Sequence, residues 1–414
     1  MNKLEKLIQQ YCPDGVEWKT IDSVTKSICS GLNPRKNFTL NSSGANCNYL
    51  TVKEMASGKI VFSDKTDKIT KEAVSIIQNR SRLEVDDILL SGIGTIGRVA
   101  IVDIPVGDWN CSESVILLKS NQSIINPKYL KYILECTEVQ GYFNSHATGS
   151  TLKGIRQKDL RSLEIPVPPL PVQEEIVRVL DTFTELQAEL QAELQKRQQQ
   201  YNFYRDNLLN FNRGGQEIKW MKMSDVFEIR NGYTPSKANN DFWEGGTIPW
   251  FRMEDIRQNG RILSDSISHI TPKGVKGKGL FSANSFIIAT TATIGEHALL
   301  IADSLANQRF TNLKIRKSLE KELSIKFFYY YLFIIDEWCK SNINLSNFAS
   351  VDMVKFNNLR IPIPPLEEQN RIVSILDRFD TLTNDLTSGL PAEMEKRRQQ
   401  YEYYRDRLLT FKRL

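Results

Sequence analysis

The chain has 414 residues, more than a single hydrophobic core usually supports, so its length predicts two or three domains. Its apolar content of 41% and charged content of 25% are those of an ordinary globular protein and exclude a disordered, collagenous or disulfide-built chain. The net charge of +5 is compatible with a polyanionic partner but is far below that of a histone-like binder.

The cellular setting is predicted from the cysteines and from the apolar runs. The six cysteines form no CxxC pair and have no histidine nearby, so we expect free thiols in a reducing cytosol and no metal site. The first residues carry the charges of Lys3, Glu5 and Lys6, which a signal peptide's apolar segment would lack. The apolar run 327–335 is shorter than the roughly 20 residues of a membrane span. We expect a cytoplasmic protein without a membrane partner.

A long internal repeat organises the chain. The run Ile-Pro-Val-Pro-Pro-Leu-Pro-Val-Gln at 165–173 recurs as Ile-Pro-Ile-Pro-Pro-Leu-Glu-Glu-Gln at 361–369. A Tyr-Arg-Asp-x-Leu-Leu stretch precedes both Phe211 and Phe411. A period of about half the chain indicates the duplication of a domain together with its linker. We therefore predict four segments: globular domains at 1–163 and 214–359, and linker helices at 164–213 and 360–414.

The linkers are predicted to be long helices of a coiled coil. Alternating prolines permit a helix to begin, and acidic residues then occupy its first turn, where the helix dipole favours them. Apolar and aromatic residues follow at a spacing of four and three, which is typical of a heptad seam. The predicted seam residues are Ile176, Leu180, Phe183, Leu190, Leu194, Tyr201, Tyr204, Leu208, Ile372, Leu376, Phe379, Leu386, Tyr401, Tyr404 and Leu408.

The second linker contains an irregularity. Its seam steps by an extra four residues between Leu390 and Met394, next to Gly389 and Pro391. Such a stutter unwinds a supercoil locally, and proline interrupts a helix. We expect a kink or a short break there.

The globular domains are predicted to be of mixed α/β class. Residues 87–90 and 99–102 are expected to form strands, and residues 127–135 and 325–335 apolar helices. The aromatic run 327–333 fits core packing better than a platform for stacking bases.

The motif Gly92-Ile-Gly94-Thr-Ile-Gly97 matches the dinucleotide fingerprint G-x-G-x-x-G. The β-branched residues after it predict a second strand, whereas a dinucleotide site needs a helix at that point. We interpret the motif as a glycine hairpin. The sequence also contains no Walker A loop, no Asn/Asp-Pro-Pro-aromatic loop of an adenine methyltransferase and no paired metal-ligand spacing, so we expect a non-catalytic chain with no metal.

The globular domains offer basic residues in loops, as phosphate contacts and base readout require. The clearest candidate for a phosphate contact is the loop 273–278, where small residues between three lysines would let the backbone approach a phosphate. The predicted DNA-binding residues are Arg35, Lys36, Lys53, Arg98, Lys153, Arg156, Lys237, Arg252, Arg257, Lys273, Lys276, Lys278 and Arg309.

The linker motifs at 165–183 and 361–379, with the stretches ending at Phe211 and Phe411, resemble the conserved spacers of the specificity subunits of type I restriction-modification enzymes. The resemblance extends over the whole chain. Three short blocks resemble recurring elements of the target recognition domains of that family: 232–235, 248–250 and 293–295.

The resemblance implies two mixed α/β target recognition domains, joined by two long antiparallel coiled-coil spacer helices in a pseudo-two-fold repeat. It implies that each domain reads one half of a bipartite, asymmetric target in double-stranded DNA. Two modification subunits, which methylate adenine with S-adenosylmethionine, are expected to dock on the spacers. Restriction subunits, which use ATP and magnesium to translocate and cut DNA, are expected to complete the complex. This chain itself is expected to bind no cofactor.

Three other interpretations stay open at this point. The partner could be a single fused nuclease-methyltransferase. The chain could be a coiled-coil scaffold whose domains bind proteins or sugars, which salt-dependent binding to duplex DNA would exclude. A free-standing nuclease or methyltransferase is opposed by the missing motifs.

The tandem repeat Leu-Gln-Ala-Glu within 186–194 generates a prediction about target spacing. Deleting one unit shortens the helix by about 6 Å, close to two base-pair steps of about 3.4 Å. Mapping of methylated adenines should show a changed gap between unchanged half-sites. Methylation at the parent spacing would refute the prediction.

Overall fold

The computed structural model describes residues 3–35, 37–56, 58–149, 153–211, 218–344, 349–384 and 388–414. The chain divides into two units, Met1–Gln191 with Glu393–Leu414 (unit 1) and Ala192–Ala392 (unit 2). Each unit therefore contains one globular domain and parts of both linkers. The four segment boundaries drawn from the sequence stay a prediction.

Unit 1 is built from short helices and strands that precede one long linker helix. Its helices are α1 (Lys3–Tyr11), α2 (Ile21–Val24), α3 (Lys71–Gln78), α4 (Pro127–Glu135), α5 (Thr137–His146), α6 (Gln157–Ser162) and the linker helix α7 (Leu170–Leu208), which continues into unit 2. Its strands are β1 (Trp18–Thr20), β2 (Thr25–Ser30), β3 (Cys47–Leu50), β4 (Met55–Ala56), β5 (Lys59–Ile60), β6 (Lys68–Ile69), β7 (Ile88–Ser91), β8 (Val99–Ile101), β9 (Trp109–Cys111), β10 (Val115–Ser120) and β11 (Glu164–Pro166).

Unit 2 repeats this plan with its own elements. Its strands are β12 (Lys219–Lys222), β13 (Phe227–Asn231), β14 (Ile248–Phe251), β15 (Ile262–Leu263), β16 (His269–Ile270), β17 (Ser285–Ala289), β18 (His297–Leu300), β19 (Leu305–Ala306), β20 (Phe310–Ile315), β21 (Ile343–Asn344), β22 (Ser350–Val351) and β23 (Arg360–Ile363). Its helices are α8 (Met223–Val226), α9 (Met253–Asn259), α10 (Ile325–Ser341), α11 (Met353–Asn358) and α12 (Leu366–Asn384), and α13 (Leu390–Leu409) begins here and continues into unit 1.

The duplication is visible in the sheets. The central sheet has the order β2-β10-β7-β8 in unit 1 and β13-β20-β17-β18-β15 in unit 2. A smaller sheet accompanies each of them, β6-β3-β9 and β16-β14-β19, and contains one parallel pair in both units. The mixed α/β class and the internal repeat are therefore present in the topology itself.

The central sheet of unit 1 is buried on both faces. Alternate residues point to opposite faces of a strand, so Ile88 and Leu90 pack with α4, whereas Leu89 packs with β9. This is why β7 and β10 are apolar runs rather than alternating ones.

The predicted strands at 87–90 and 99–102 are β7 and β8, each within one residue, and they pair antiparallel. The glycine motif joins them as a hairpin, which confirms the interpretation made from the sequence. The helix predicted at 127–135 coincides with α4. The aromatic run 327–333 lies in the core of unit 2, as predicted.

The helix predicted at 325–335 is six residues longer than expected, because α10 ends at Ser341. The apolar run in the sequence predicts a helix that ends before Asp336, because that residue is charged. That carboxylate is buried and its Oδ2 lies 2.7 Å from Nδ1 of His297. Burial lowers the pKa of His297. A hydrogen-bonding partner from β18 thus permits a charged residue within the buried helix.

Both linker helices begin with the same buried amide. Gln173 is fully buried; its Oε1 accepts from the backbone N–H of Asn126 at 2.8 Å, and its Nε2 donates to the carbonyls of Ile124 and Pro168 at 3.0 and 2.7 Å. The equivalent Gln369 contacts the backbone of Ser324, Glu322 and Pro364 at 2.8, 3.0 and 2.8 Å. Each glutamine therefore joins the proline run, the helix and the loop before α4 or α10.

A second repeated contact lies about two turns along each linker helix. Asp181 accepts hydrogen bonds from Tyr132 and Lys128, both at 2.6 Å. In unit 2, Asp377 accepts from Tyr330 at 2.7 Å and from Lys326 at 2.6 Å. These contacts fix the direction in which each helix leaves its globular domain.

Within each unit the start of one linker helix packs on the end of the other. The Phe183 ring stacks on Tyr404 in unit 1, and Phe379 stacks on Tyr204 in unit 2, both with centroids 5.5 Å apart. Residues 175–183 line one groove together with residues 404–411. Residues 184 and 187 line a second groove together with residues 398–402. The two segments therefore run antiparallel in unit 1.

The predicted seam residues differ in burial. Ile176 and Leu180 are buried against the core of unit 1, and Ile372, Leu376 and Tyr201 against that of unit 2. The half-buried seam residues are Phe183, Leu190, Leu194, Leu208, Phe379, Tyr401 and Leu408. The two that are more exposed are Tyr204 and Tyr404. Leu386 lies outside the described residues.

The predicted interruption of the second linker is also observed. Helix α12 ends at Asn384, and α13 begins at Leu390 with Pro391 in its first turn, where a proline needs no hydrogen-bond partner. The first linker, without a glycine or proline there, is one helix of 39 residues.

Gln173→Ala and Gln369→Ala should each destabilise the protein by about 2–4 kcal/mol, because one buried carbonyl, one part-buried carbonyl and one backbone N–H lose their hydrogen-bond partner. Thermal or urea unfolding measures the loss. Gln191→Ala, at an exposed position of α7, is the matched control and should change stability by under about 0.5 kcal/mol. Equal stability of Gln173→Ala and the control would contradict the assigned role.

Candidate nucleic-acid interface

Three loops of unit 1 lie together at one end of its central sheet. Ser30 at the end of β2 and Ser91 at the end of β7 lie beside the start of β10, and Val99 opens β8 opposite Leu90. Because neighbouring strands are antiparallel, the loops 31–35, 92–98 and 112–114 all lie at this end of the strands. We call these loops, with the segment 153–156 that pairs with them, the loop end of unit 1.

Close backbone contacts hold the loop end together. Gly31 N–H donates to Val115 O at 3.3 Å, and Leu32 N–H to Cys111 O at 3.2 Å. A Cβ on Gly31 would lie 1.9 Å from Cys111 O, so only glycine permits this approach. Tyr49 supports the same loop by donating its hydroxyl to Leu32 O at 2.8 Å, and burial raises the pKa of that hydroxyl.

The glycine hairpin brings a distant segment to the same place. Gly94 N–H donates to Lys153 O at 2.8 Å, and Ile155 N–H donates to Gly92 O at 2.9 Å. Gly97 adopts φ +85°, which favours glycine. The motif is therefore hydrogen-bonded to a segment that lies about 60 residues later in the sequence.

Most of the basic residues predicted for the first domain are at the loop end. Arg35, Arg98, Lys153 and Arg156 lie on its loops and are exposed. The exposed Lys53 is close by, because the Arg98 guanidinium donates to Val52 O at 3.1 Å. The guanidinium of Arg156 also pairs with Asp159 at 2.7 Å, which lowers the pKa of that carboxyl. Lys36 lies outside the described residues.

Unit 2 builds its loop end from the corresponding loops, 232–236, 290–296 and 307–309. Gly232 N–H donates to Phe310 O at 2.9 Å, and Tyr233 N–H to Ala306 O at 2.9 Å. A Cβ on Gly232 would lie 2.3 Å from the carbonyls of Ala306 and Asn307. The two loop ends thus correspond residue by residue.

The lysine loop of unit 2 is fastened to this loop end. Tyr233 donates its hydroxyl to Gly274 O at 3.2 Å and accepts from Lys276 N–H at 2.6 Å. Arg230 donates to Lys278 O at 3.0 Å. Lys273 is paired with Asp241 at 2.9 Å, so part of its charge is compensated on the surface.

The remaining basic candidates of unit 2 are divided. Lys237 and Arg309 are exposed on or beside the loop end, and Arg252 follows Phe251, whose carbonyl accepts from Asn307 N–H at 3.0 Å. Arg257 instead lines a groove of about 700 Å³ together with Arg261 and Tyr201. The structure therefore does not bring Arg257 to the loop end.

Four polar residues at the loop ends were missed because the sequence selection considered only basic side chains. Asn33 donates its amide to Glu113 Oε1 at 2.7 Å in unit 1. At the corresponding places in unit 2, Thr234 donates its hydroxyl to Gln308 Oε1. The repeated Gly-x-x-Pro blocks at 31–34 and 232–235 contain Asn33 and Thr234, and their repetition could have indicated these positions from the sequence.

The described residues contain no group of three or more His, Cys, Asp and Glu side chains arranged to hold a metal ion. Within the same part of the chain, no helix combines the length and apolar character needed to cross a membrane.

Comparison with known proteins defines the class of this fold. Residues 13–197 and 216–396 each match the family described as the type I restriction modification DNA specificity domain. The chain therefore belongs to that family, and the resemblance inferred from its linker motifs is confirmed, together with the fold of two recognition domains and long spacer helices.

Two curated relatives are from Escherichia coli. The specificity subunit of the type I restriction enzyme EcoprrI is 52% identical over 205 residues, which cover 48% of this chain and 51% of the relative. That of EcoR124I/EcoR124II is 39% identical over 268 residues, covering 61% and 63%. The chain thus spans about half to under two thirds of the length of these relatives.

A solved structure extends the likeness over the whole fold. One chain of a solved structure aligns with this chain with a TM-score of 0.64 at 18% identity. That structure concerns the complex assembly and conformational transition of the type I R-M system. The alignment covers 96% of this chain and 98% of the other.

Replacing Gly31 or Gly232 with alanine should displace a loop end and destabilise its unit by about 1–3 kcal/mol, the usual cost of overpacking. Thermal unfolding measures this effect. Gly141→Ala, in α5 with open space around the new methyl group, should be neutral or stabilising. If Gly31→Ala is as stable as Gly141→Ala, the close approach does not constrain the loop.

Proposed function

We propose that this chain is a non-catalytic DNA specificity subunit of a type I restriction-modification complex, in which each unit reads one half of a bipartite target. One observation carries the proposal: two loop ends share the same backbone contacts but present different exposed side chains. A duplicated frame with different reading surfaces suits an asymmetric target. The membership in the specificity-domain family supports the same conclusion.

The basic residues of the loop ends have the chemistry for duplex DNA. Exposed guanidinium and ammonium groups neutralise phosphates, while neighbouring polar side chains reach base edges. Arg98, Lys153 and Arg309 are the preferred candidates, and the hydrogen bonds that each of them makes within its loop end support this choice.

The linker helices are proposed to set the gap between the half-sites and to dock two modification subunits. Helix α7 supports this role because it is continuous over 39 residues, about 58 Å at 1.5 Å per residue, and contributes to both units. The aromatic rings of Phe203 and Tyr403 remain exposed on the two linker helices and offer apolar surface to a partner.

The catalytic activities are assigned to the partners. Modification subunits would bind S-adenosylmethionine and methylate adenine, and restriction subunits would use ATP and magnesium to translocate and cleave DNA. The absence of a Walker A loop and of a methyltransferase loop from the sequence supports this division of labour.

The test is to express the chain with its modification subunit and to map methylated adenines on random DNA. A gapped, two-part motif is expected. Exchanging residues 1–163 for those of another specificity subunit should change one half only. A continuous motif, or methylation by the chain alone, would contradict the proposal.

The affinity of the same complex for duplex DNA, and its dependence on salt concentration, provide a second test. Arg98→Gln with Lys153→Gln should weaken DNA binding and reduce the slope of log affinity against log salt concentration by about 1 for each lost phosphate contact. Arg82→Gln removes an exposed charge before β7, at the opposite end of the sheet, and should change neither quantity. An unchanged slope in the double variant would favour a protein- or sugar-binding scaffold.

A further inference from the structure

The two loop ends differ in charge at strictly corresponding positions. Ser112 N–H donates to Leu50 O at 2.9 Å, and Asn307 N–H donates to Phe251 O at 3.0 Å. With the matching contacts of Gly31 and Gly232, this aligns Ser-Glu-Ser at 112–114 with Asn-Gln-Arg at 307–309. The same three-residue loop therefore has a net charge of −1 in unit 1 and +1 in unit 2.

Glu113 is an unexpected residue for a surface that binds DNA. It is half-buried, and among the residues that the structure describes only Asn33 hydrogen-bonds its side chain, through Oε1. None of the described cations forms an ion pair with it, although Arg35 and Arg98 lie on neighbouring loops. Its Oε2 is left as an acceptor at a basic surface.

A carboxylate in this position opposes phosphate binding, since both groups are negative. It can instead accept a hydrogen bond from an exocyclic amino group in the major groove, N4 of cytosine or N6 of adenine. The amide of Asn33 orients the carboxylate before any such contact, which reduces the entropy that binding must overcome.

The corresponding loop of unit 2 offers a different set of groups. Thr234 holds Gln308 as Asn33 holds Glu113, but Gln308 provides both a donor and an acceptor. Arg309 follows it and is exposed, with its backbone N–H bonded to Asn307 Oδ1 at 3.0 Å. Glutamine suits adenine and arginine suits guanine, each through two hydrogen bonds.

We propose that loops 112–114 and 307–309 are equivalent base-reading loops: Glu113 accepts from a cytosine or adenine amino group in one half-site, and Gln308 with Arg309 reads purines in the other. The inference rests on the proposed function, and adds to it the residues that make the two half-sites different.

The test uses Glu113→Gln and Gln308→Glu, each in the complete complex with the modification subunit. Methylated adenines are mapped on random DNA for both variants and for the unaltered chain. Glu113→Gln should change the base preference at a position of the half-site read by unit 1 by roughly tenfold, and should leave the other half unchanged. Gln308→Glu should do the reverse.

Asp103→Asn is the matched control. It removes one negative charge from an exposed residue that follows β8, at the opposite end of the same sheet, and should leave both half-sites unchanged. Thermal unfolding of each variant checks that the units remain folded.

The possible results separate the two proposals. If the unaltered complex gives no gapped motif, the proposed function itself fails. If it gives one, but a folded variant leaves its own half unchanged, alters the other half or methylates nothing, the base-reading role is overturned. Because the two variants lie in different units, misfolding of one still leaves the other as a decisive test.

Discussion

The architecture of each unit depends on one buried glutamine at the start of a linker helix. Proline has no backbone N–H, so a proline run interrupts regular backbone hydrogen bonding, and buried carbonyls left without a partner are costly. Gln173 and Gln369 bond these carbonyls and, with the same amide, the loop before α4 or α10. The linker helix and the globular domain of each unit are thereby held in one orientation at this point.

The loop ends show how a duplicated fold can keep one backbone frame and present two different surfaces. The contacts that shape them are made by backbone atoms and glycines, so exposed side chains can change without loss of the frame. Glu113 and Gln308 occupy the same place and are held by Asn33 and Thr234, yet they offer different hydrogen-bonding groups. Stability and the proposed recognition therefore use different atoms of the same loops, so the exposed faces of the two domains can diverge while the backbone contacts are retained.

Much of the fold could be predicted because its signals are local. The heptad spacing, the proline runs and the interruption near Pro391 specify helices through neighbouring residues alone, and α7, α12 and α13 follow them. The extension of α10 to Ser341 could not be predicted, since it depends on His297 meeting Asp336 from another element. The loop ends were anticipated only in part: basic residues were selected by type, which included Arg257, located in a groove away from the loop end, and did not include Glu113, which lies on it.

The sequence by itself determined the duplication, the long helices, the hairpin at the glycine motif and the family, because each of these is written in the order and spacing of residues. Only the tertiary structure decided which residues meet. It placed Lys153 beside Gly94, Glu113 beside Asn33 and the end of each linker helix on the start of the other within a unit. These contacts join residues that are far apart in the chain, and the distance between them depends on strand register and packing rather than on any local pattern.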